Sequence, residues 1–236
     1  FYLGGSQEIP DEYLPAASVD LVVTDPPYTD QIPYVEYSQL TAAVMDISIE
    51  ESLQNELVVS DAPSRDKTGV DFNRVFEQIM KRTHFALKDG GYLAMFYHSL
   101  DLRSWDSILS LIKKSGYIYV DQMPTASARK SFKTILSPGK NLDGNYLIVF
   151  RKEAGASDQE ALAFTGNFEE AERLAFLKVK EIAVENEGPT LQAVYDQGLL
   201  KDSIEKGYLH ILAANYRTFA PIVDAALREG KECTGC

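Results

Sequence analysis

Asp25-Pro26-Pro27-Tyr28 is the stretch whose residue types and order suit one chemistry. An exocyclic amino group on a nucleobase is a poor nucleophile, because its lone pair is delocalised into the ring. A site that alkylates such a nitrogen must accept its hydrogens and let it turn toward sp3. Asp25, as a carboxylate, offers one acceptor. Pro26 has no N–H and a locked φ, and the proline after it pushes it toward extended geometry. Its carbonyl is therefore held rigidly, outside any helix, as a second acceptor. Tyr28 offers a flat face on which an extruded base can stack. The plainer reading is a turn, since Asp-Pro and Pro-Pro punctuate loops.

The element that must position this tetrapeptide is the run Val19-Asp20-Leu21-Val22-Val23, short, β-branched and nearly all apolar. Such a run suits a strand buried on both faces of a parallel sheet. The tetrapeptide then sits at the carboxyl end of that strand, where ligands bind in open α/β sheets. Residues 1–3 read as the end of another strand, 34–45 as a helix and 49–57 as a shorter one. The polar loop 58–70 carries Arg65 and Lys67, placed either to meet phosphate or simply to be solvated. Asp71 reads as the N-cap of a helix over 72–88 with Phe72, Val75, Phe76, Ile79, Met80, Thr83 and Leu87 at helical spacing. Gly90 can end that helix. His84 lies beside the stripe and reads as structural.

A strand over 91–97 ends at His98 and Ser99, where His98 can border the pocket as a hydrogen-bonded wall. Helix 102–115 directs Leu102, Trp105, Ile108, Leu109 and Ile112 at the sheet and stops at Gly116, and strand 117–123 follows. The loop 124–144 holds Arg129, Lys130, Lys133 and Lys140 with no acid before Asp143. It is either a phosphate-contacting patch or an ordinary solvated loop. Strand 145–151 closes the strand–helix alternation. Residues 158–230 read as helical, with amphipathic segments at 168–183, 191–204 and 208–227, the last interrupted by Pro221.

The chain has 236 residues, enough for one α/β domain plus an appendage. At 45% hydrophobic and 25% charged it has the composition of an ordinary soluble globular protein. No apolar run approaches a membrane span and no signal peptide opens the chain. Cys233 and Cys236 are its only cysteines. A zinc ribbon needs a second Cys-x-x-Cys pair, so this one reads as a surface tail or as half of a site completed elsewhere. The scarcity of cysteine fits a cytoplasmic protein. The net charge of −12 argues against strong nucleic-acid binding by the chain alone, because that affinity is mainly phosphate neutralisation. DNA contact would need a local basic patch or a partner.

Asp25-Pro26-Pro27-Tyr28 resembles the motif of the amino-methyltransferases, which methylate N6 of adenine or N4 of cytosine with S-adenosylmethionine. Its continuation through Thr29 and Asp30 to Tyr34, Glu36 and Ser38 is similar to a group of large adenine-specific DNA methylases. Gly4-Gly5-Ser6-Gln7, followed by Ser18-Val19-Asp20, resembles the family's segment that touches the cofactor adenine, although Gly4-Gly5 also reads as a simple turn. The resemblance implies an α/β fold: a partial Rossmann-like methyltransferase sheet, mostly parallel with its last strand antiparallel, and a C-terminal helical appendage. Residues 1–152 would be the catalytic-motif half and 153–236 the helical region.

The resemblance also implies roles. Asp25, Pro26, Pro27 and Tyr28 would be catalytic, and Ser6, Gln7 and Asp25 would bind S-adenosylmethionine. Arg65, Lys67, Arg129, Lys130, Lys133 and Lys140 would face DNA, with no membrane and no metal involved. Three features depart from the family pattern. Many members carry an acidic residue near Ser6, and this chain does not. The glycine-rich Phe-x-Gly-x-Gly loop is missing; Phe164-Thr165-Gly166-Asn167-Phe168 opens a helix with no strand before it. Two strands that the family places between 1–3 and 19–24 are also missing. The chain is therefore expected to be a C-terminal portion, completed by an N-terminal portion or a partner chain, and to bind the cofactor weakly alone. Non-catalytic scaffolding is an alternative, as is methylation of RNA guanine N2 or protein glutamine, which use related motifs.

Overall fold

The computed structural model describes residues 5–27, 34–60, 66–125, 142, 144–153, 164–185 and 190–233. Four strands, β1 (Val19–Thr24), β2 (Leu87–Tyr97), β3 (Tyr117–Thr125) and β4 (Asn145–Lys152), form one sheet in the order β1-β2-β4-β3. The sheet is mostly parallel with one antiparallel strand, and helices follow it, so the α/β class read from the sequence holds. β1 and β2 are parallel, with Leu21 opposite Tyr92 and Thr24 opposite Met95. The helices are α1 (Tyr34–Val44), α2 (Glu50–Asn55), α3 (Gly69–Ala86), α4 (Leu102–Lys114), α5 (Phe168–Glu185), α6 (Leu191–Asp196), α7 (Leu199–Glu205), α8 (Leu209–Asn215) and α9 (Ala220–Cys233). A 3-10 turn spans Ser6–Glu8. No helix among the described residues is long and apolar enough to cross a membrane.

Local chemistry sets the element ends. α3 is capped by Thr68, not by Asp71 as expected: Asp71 is the third residue of a reciprocal capping box. The Thr68 N–H donates to Asp71 Oδ2 at 3.0 Å, and the Asp71 N–H donates back to Thr68 Oγ1 at 3.4 Å. At its other end α3 stops at Ala86. Leu87, expected in the helix, takes extended φ/ψ of −67° and 139° and starts β2 opposite Val19. The register between β1 and β2 then slips before Leu21. Gly91 absorbs the slip, because a Cβ there would lie 2.8 Å from the Lys88 carbonyl and 3.1 Å from that of Asp20.

The chain forms two compact units. The first comprises Phe1–Met95, Ile108–Val120 and Val149–Ser157. In it α3 buries Phe72, Val75, Phe76 and Met80, and it meets β3 where Thr83 Oγ1 and the Tyr117 hydroxyl share a hydrogen bond of 2.9 Å. The His84 ring stands edge-on to Tyr117, which supports its structural reading. β2 buries Leu93 and Met95 on one face and exposes Tyr92 on the other. β1 corrects an expectation. Rather than being buried on both faces, it leaves Leu21 53% and Val23 61% exposed. The reason is positional: among the described residues β1 is the edge strand of the sheet, and Tyr92 beside it on that face is 42% exposed.

The second unit comprises Phe96–Ser107, Asp121–Ile148 and Asp158–Cys236. Its core is aromatic. Trp105 packs edge-on against Tyr97 (4.7 Å between centroids) and Tyr146 (5.7 Å), and its Nε1–H donates to the Ser99 carbonyl. The hydroxyls of Tyr146 and Tyr195 donate to Asp196 and to the Leu100 carbonyl. Buried phenols need such partners. The segment expected as one helix over 191–204 is two, because Gly198 adopts φ of 107° between α6 and α7. Pro221 starts α9 rather than interrupting a longer helix, a position where its missing N–H removes no helical bond.

Candidate amino-group site

β1 is aimed by the segment before it. The Ala17 and Ser18 amides donate to the carbonyls of Phe85 and Ala86, at 3.0 and 2.8 Å. Ser18 Oγ donates to the Pro15 carbonyl. Arg82, on α3, reaches back across the same segment. Its Nε donates to the Ile9 carbonyl and one Nη to the Leu14 carbonyl, both at 2.7 Å, and the other Nη pairs with Asp11 at 3.1 Å. Nothing in the local spacing of the sequence marks Arg82 for this task, since its partners lie about seventy positions away.

Thr24 pairs with Met95, and the chain leaves the sheet at Asp25. Asp25 is exposed, Pro26 and Pro27 are half-buried, and none of the three is helical. Asp25 and Pro26 thus follow one another just past the carboxyl end of a parallel strand. Tyr28, the proposed stacking face, lies outside the described residues, as do Arg65, Arg129, Lys130, Lys133 and Lys140.

The other candidate residues are placed as follows. Ser6 and Gln7 sit in the 3-10 turn, which packs on α3. Gln7 folds back over Gly5 so closely that a Cβ at Gly5 would lie 2.6 Å from its amide. Lys67 is not on a solvated surface. It is only 9% exposed, and its ammonium donates to the Glu56 carbonyl at 2.6 Å. Its backbone forms an antiparallel bridge with Ser60. Glu56 escaped the sequence reading: its carboxylate accepts from the Val35 N–H at 3.0 Å, holding the start of α1 just after the motif. His98 Nδ1 lies 2.6 Å from the Gly144 carbonyl, which agrees with a wall rather than a general base. Among the described residues no group of three His, Cys, Asp or Glu could hold a metal.

No protein-family model matches the chain, and no curated protein matches it. Among solved structures it is similar to TTHA0409 of Thermus thermophilus, a DNA modification methylase by assignment. The selenomethionine form gives a TM-score of 0.37 at 17% identity, covering 75% of this chain and 61% of that one. The form complexed with S-adenosyl-L-methionine gives 0.38 at 17%, covering 75% and 62%. The chain thus spans about three fifths of that protein's length. At these TM-scores the likeness does not establish a shared fold, so function has to be sought in the chain's own residues.

Proposed function

We propose that this chain is the catalytic-motif portion of an S-adenosylmethionine-dependent DNA amino-methyltransferase acting on N6 of adenine, or on N4 of cytosine. One observation carries the reading: Asp25-Pro26-Pro27 leaves the sheet at the carboxyl end of a parallel strand, with Asp25 exposed. A flipped base presenting its amino group there can give one hydrogen to the Asp25 carboxylate and the other to the Pro26 carbonyl, while Tyr28 stacks on the ring. The carboxylate then faces the nitrogen as positive charge develops on it, which favours the transition state over the ground state.

The cofactor site is only partly present in this chain. Ser6, Gln7 and Asp25 are its own candidates for touching S-adenosylmethionine. The prolines after β1 offer no backbone N–H, so the strand end cannot cradle the cofactor's carboxylate as a glycine-rich turn would. Residues 1–152 form the proposed methyltransferase portion, and Arg129, Lys130, Lys133 and Lys140 its proposed phosphate contacts.

The test is methyl transfer to DNA in an assembly containing this chain and a cofactor-binding half. Asp25→Ala is expected to remove turnover without unfolding the chain. Asp25→Asn keeps the shape but loses the charge, and should lower kcat more than it raises KM. Tyr28→Phe should be mild, whereas Tyr28→Ala loses stacking worth roughly 1–3 kcal/mol. Parent rates in both Asp25→Ala and Tyr28→Ala would reduce the stretch to a turn after a strand.

A further inference from the structure

The stretch that carries Tyr28 has two ends. It leaves β1 at Asp25 and reaches α1 at Tyr34. A segment held at one end only keeps more of its conformations, and that freedom must be given up when a base is captured. The front end is secured by the pairing of Thr24 with Met95, with Arg82 tying down the chain ahead of β1. The far end is secured from a distance.

A helix leaves the N–H groups of its first turn without intrahelical partners. In α1 that of Val35 donates to Glu56 Oε1 at 3.0 Å, from a residue twenty-one positions further on. The carboxylate also faces the positive end of the helix dipole. Glu56 itself closes α2, which at six residues is too short to hold its own place. Leu57 and Val58, 8% and 3% exposed, bury the chain just after it. Lys67 completes the hold. Its ammonium donates to the Glu56 carbonyl at 2.6 Å, one of those a helix end leaves without an intrahelical partner. Lys67 is buried, and an ammonium taken that far from water needs strong acceptors. Its backbone exchanges two hydrogen bonds with Ser60, at 2.9 and 3.1 Å, and the next residue, Thr68, caps α3. A continuous set of bonds thus runs from the α3 cap through Lys67 and Glu56 to the first turn of α1. Every member belongs to the first unit.

We propose that Glu56 is a positioning residue for base capture, holding the far end of the stretch that carries Tyr28, and that Lys67 serves Glu56 inside the protein rather than meeting phosphate. This role rests on the function proposed above. Glu56 acts through Val35 and α1, not on the reacting atoms. Tyr28 stacks on the flipped base both before the methyl group arrives and while it arrives. A loosened stretch therefore weakens ground state and transition state alike, which raises KM and leaves kcat. That is the reverse of the effect expected for Asp25→Asn.

The test uses the assembly of this chain with a cofactor-binding half, methylating DNA of mixed sequence across a salt series, with amide exchange read on the same proteins. Glu56→Ala should raise KM for DNA at least about fivefold, the size of a lost N-cap bond, with kcat within about twofold of the parent. Val35 should exchange faster by a similar factor. Glu56→Gln keeps an oxygen for the Val35 N–H and should restore both. Lys67→Met keeps the stem; it should raise KM in the same direction and leave its salt dependence unchanged. The amides of Phe72–Met80 in α3 report whether each variant is folded, and if Lys67→Met is not, the Glu56 pair decides. Parent KM in Glu56→Ala, a loss confined to kcat, or a Glu56→Gln as impaired as Glu56→Ala would overturn the positioning role. A salt slope lowered by about one in Lys67→Met would return Lys67 to the phosphate contacts and overturn its part. Asp25→Ala keeps role and function apart. Parent transfer that Asp25→Ala abolishes, with KM untouched by Glu56→Ala, defeats the role alone. No transfer by the parent, or transfer that survives Asp25→Ala, defeats the function and the role with it.

Discussion

Replacing Arg82 with methionine keeps the side-chain stem and removes the guanidinium donors that tie Ile9, Asp11 and Leu14 to α3. Two bonds to carbonyls, both at 2.7 Å, are lost. Hydrogen bonds from a charged donor contribute about 1.5–3 kcal/mol each. Ile9 and Leu14 are half-buried, so their carbonyls are partly rehydrated and the lower part of that range applies. The pair with Asp11 adds under ~1 kcal/mol, because Asp11 is 77% exposed. The guanidinium also sits 4.9 Å from the centre of the Phe85 ring, worth about 0.5–1 kcal/mol. Arg82→Met should therefore cost about 3.5–5 kcal/mol, or about 7–20 °C in Tm at ~2–4 °C per kcal/mol for a chain of this size. Arg82→Lys, which keeps the charge but lacks the fork, should recover about half. The assay is calorimetry with amide exchange, and the Ala17 and Ser18 amides should be the first to lose protection. A methionine variant with parent Tm and unchanged exchange at Ala17 and Ser18 would show that Arg82 does not anchor the approach to β1.

Thr68→Ala removes the N-cap hydroxyl of α3 and should lower stability by about 1 kcal/mol in urea unfolding, with Thr68→Ser close to the parent. Trp105→Ala empties the centre of the Tyr97–Trp105–Tyr146 cluster and should cost about 3–5 kcal/mol, with loss of near-ultraviolet circular dichroism. His84 gives a pH dependence. Burial, aided by the charge of Lys152, pushes its pKa below the usual histidine value. The unfolded chain therefore takes up a proton near pH 6.5 while the folded chain still resists it. Stability should fall as pH drops from about 6.5 toward the folded-state pKa and level off below it. A urea series from pH 7.5 to 5 should show that slope flattened in His84→Gln, and an unchanged slope would remove His84 as its source.

The strand–helix alternation was legible because α3, α4 and the strands carry their signal locally, in 3.6-residue and β-branched patterns. The motif was legible for the same reason: four adjacent residues and the strand before them are enough. What escaped the sequence depends on distant partners. The composition of β1 suits a doubly covered strand, but cover comes from other elements, and those described cover only one face. Lys67 sits in a polar loop that reads as solvated or phosphate-facing, but its ammonium is held by the Glu56 carbonyl eleven positions earlier. Arg82 looked like the polar side of a helix, although its partners precede β1. Gly198 and Pro221 were visible as breakers, but whether each splits or starts a helix is decided by the backbone on both sides.

The most direct test of the account uses this chain docked with a cofactor-binding half, DNA of mixed sequence and labelled S-adenosylmethionine, with the modified base identified by mass spectrometry. The account predicts a methylated exocyclic amino group, N6 of adenine first, made by the parent and absent with Asp25→Ala although the same complex forms. Equal methylation by the parent and by Asp25→Ala, or a methyl group placed on ring carbon rather than on an amino nitrogen, would contradict it.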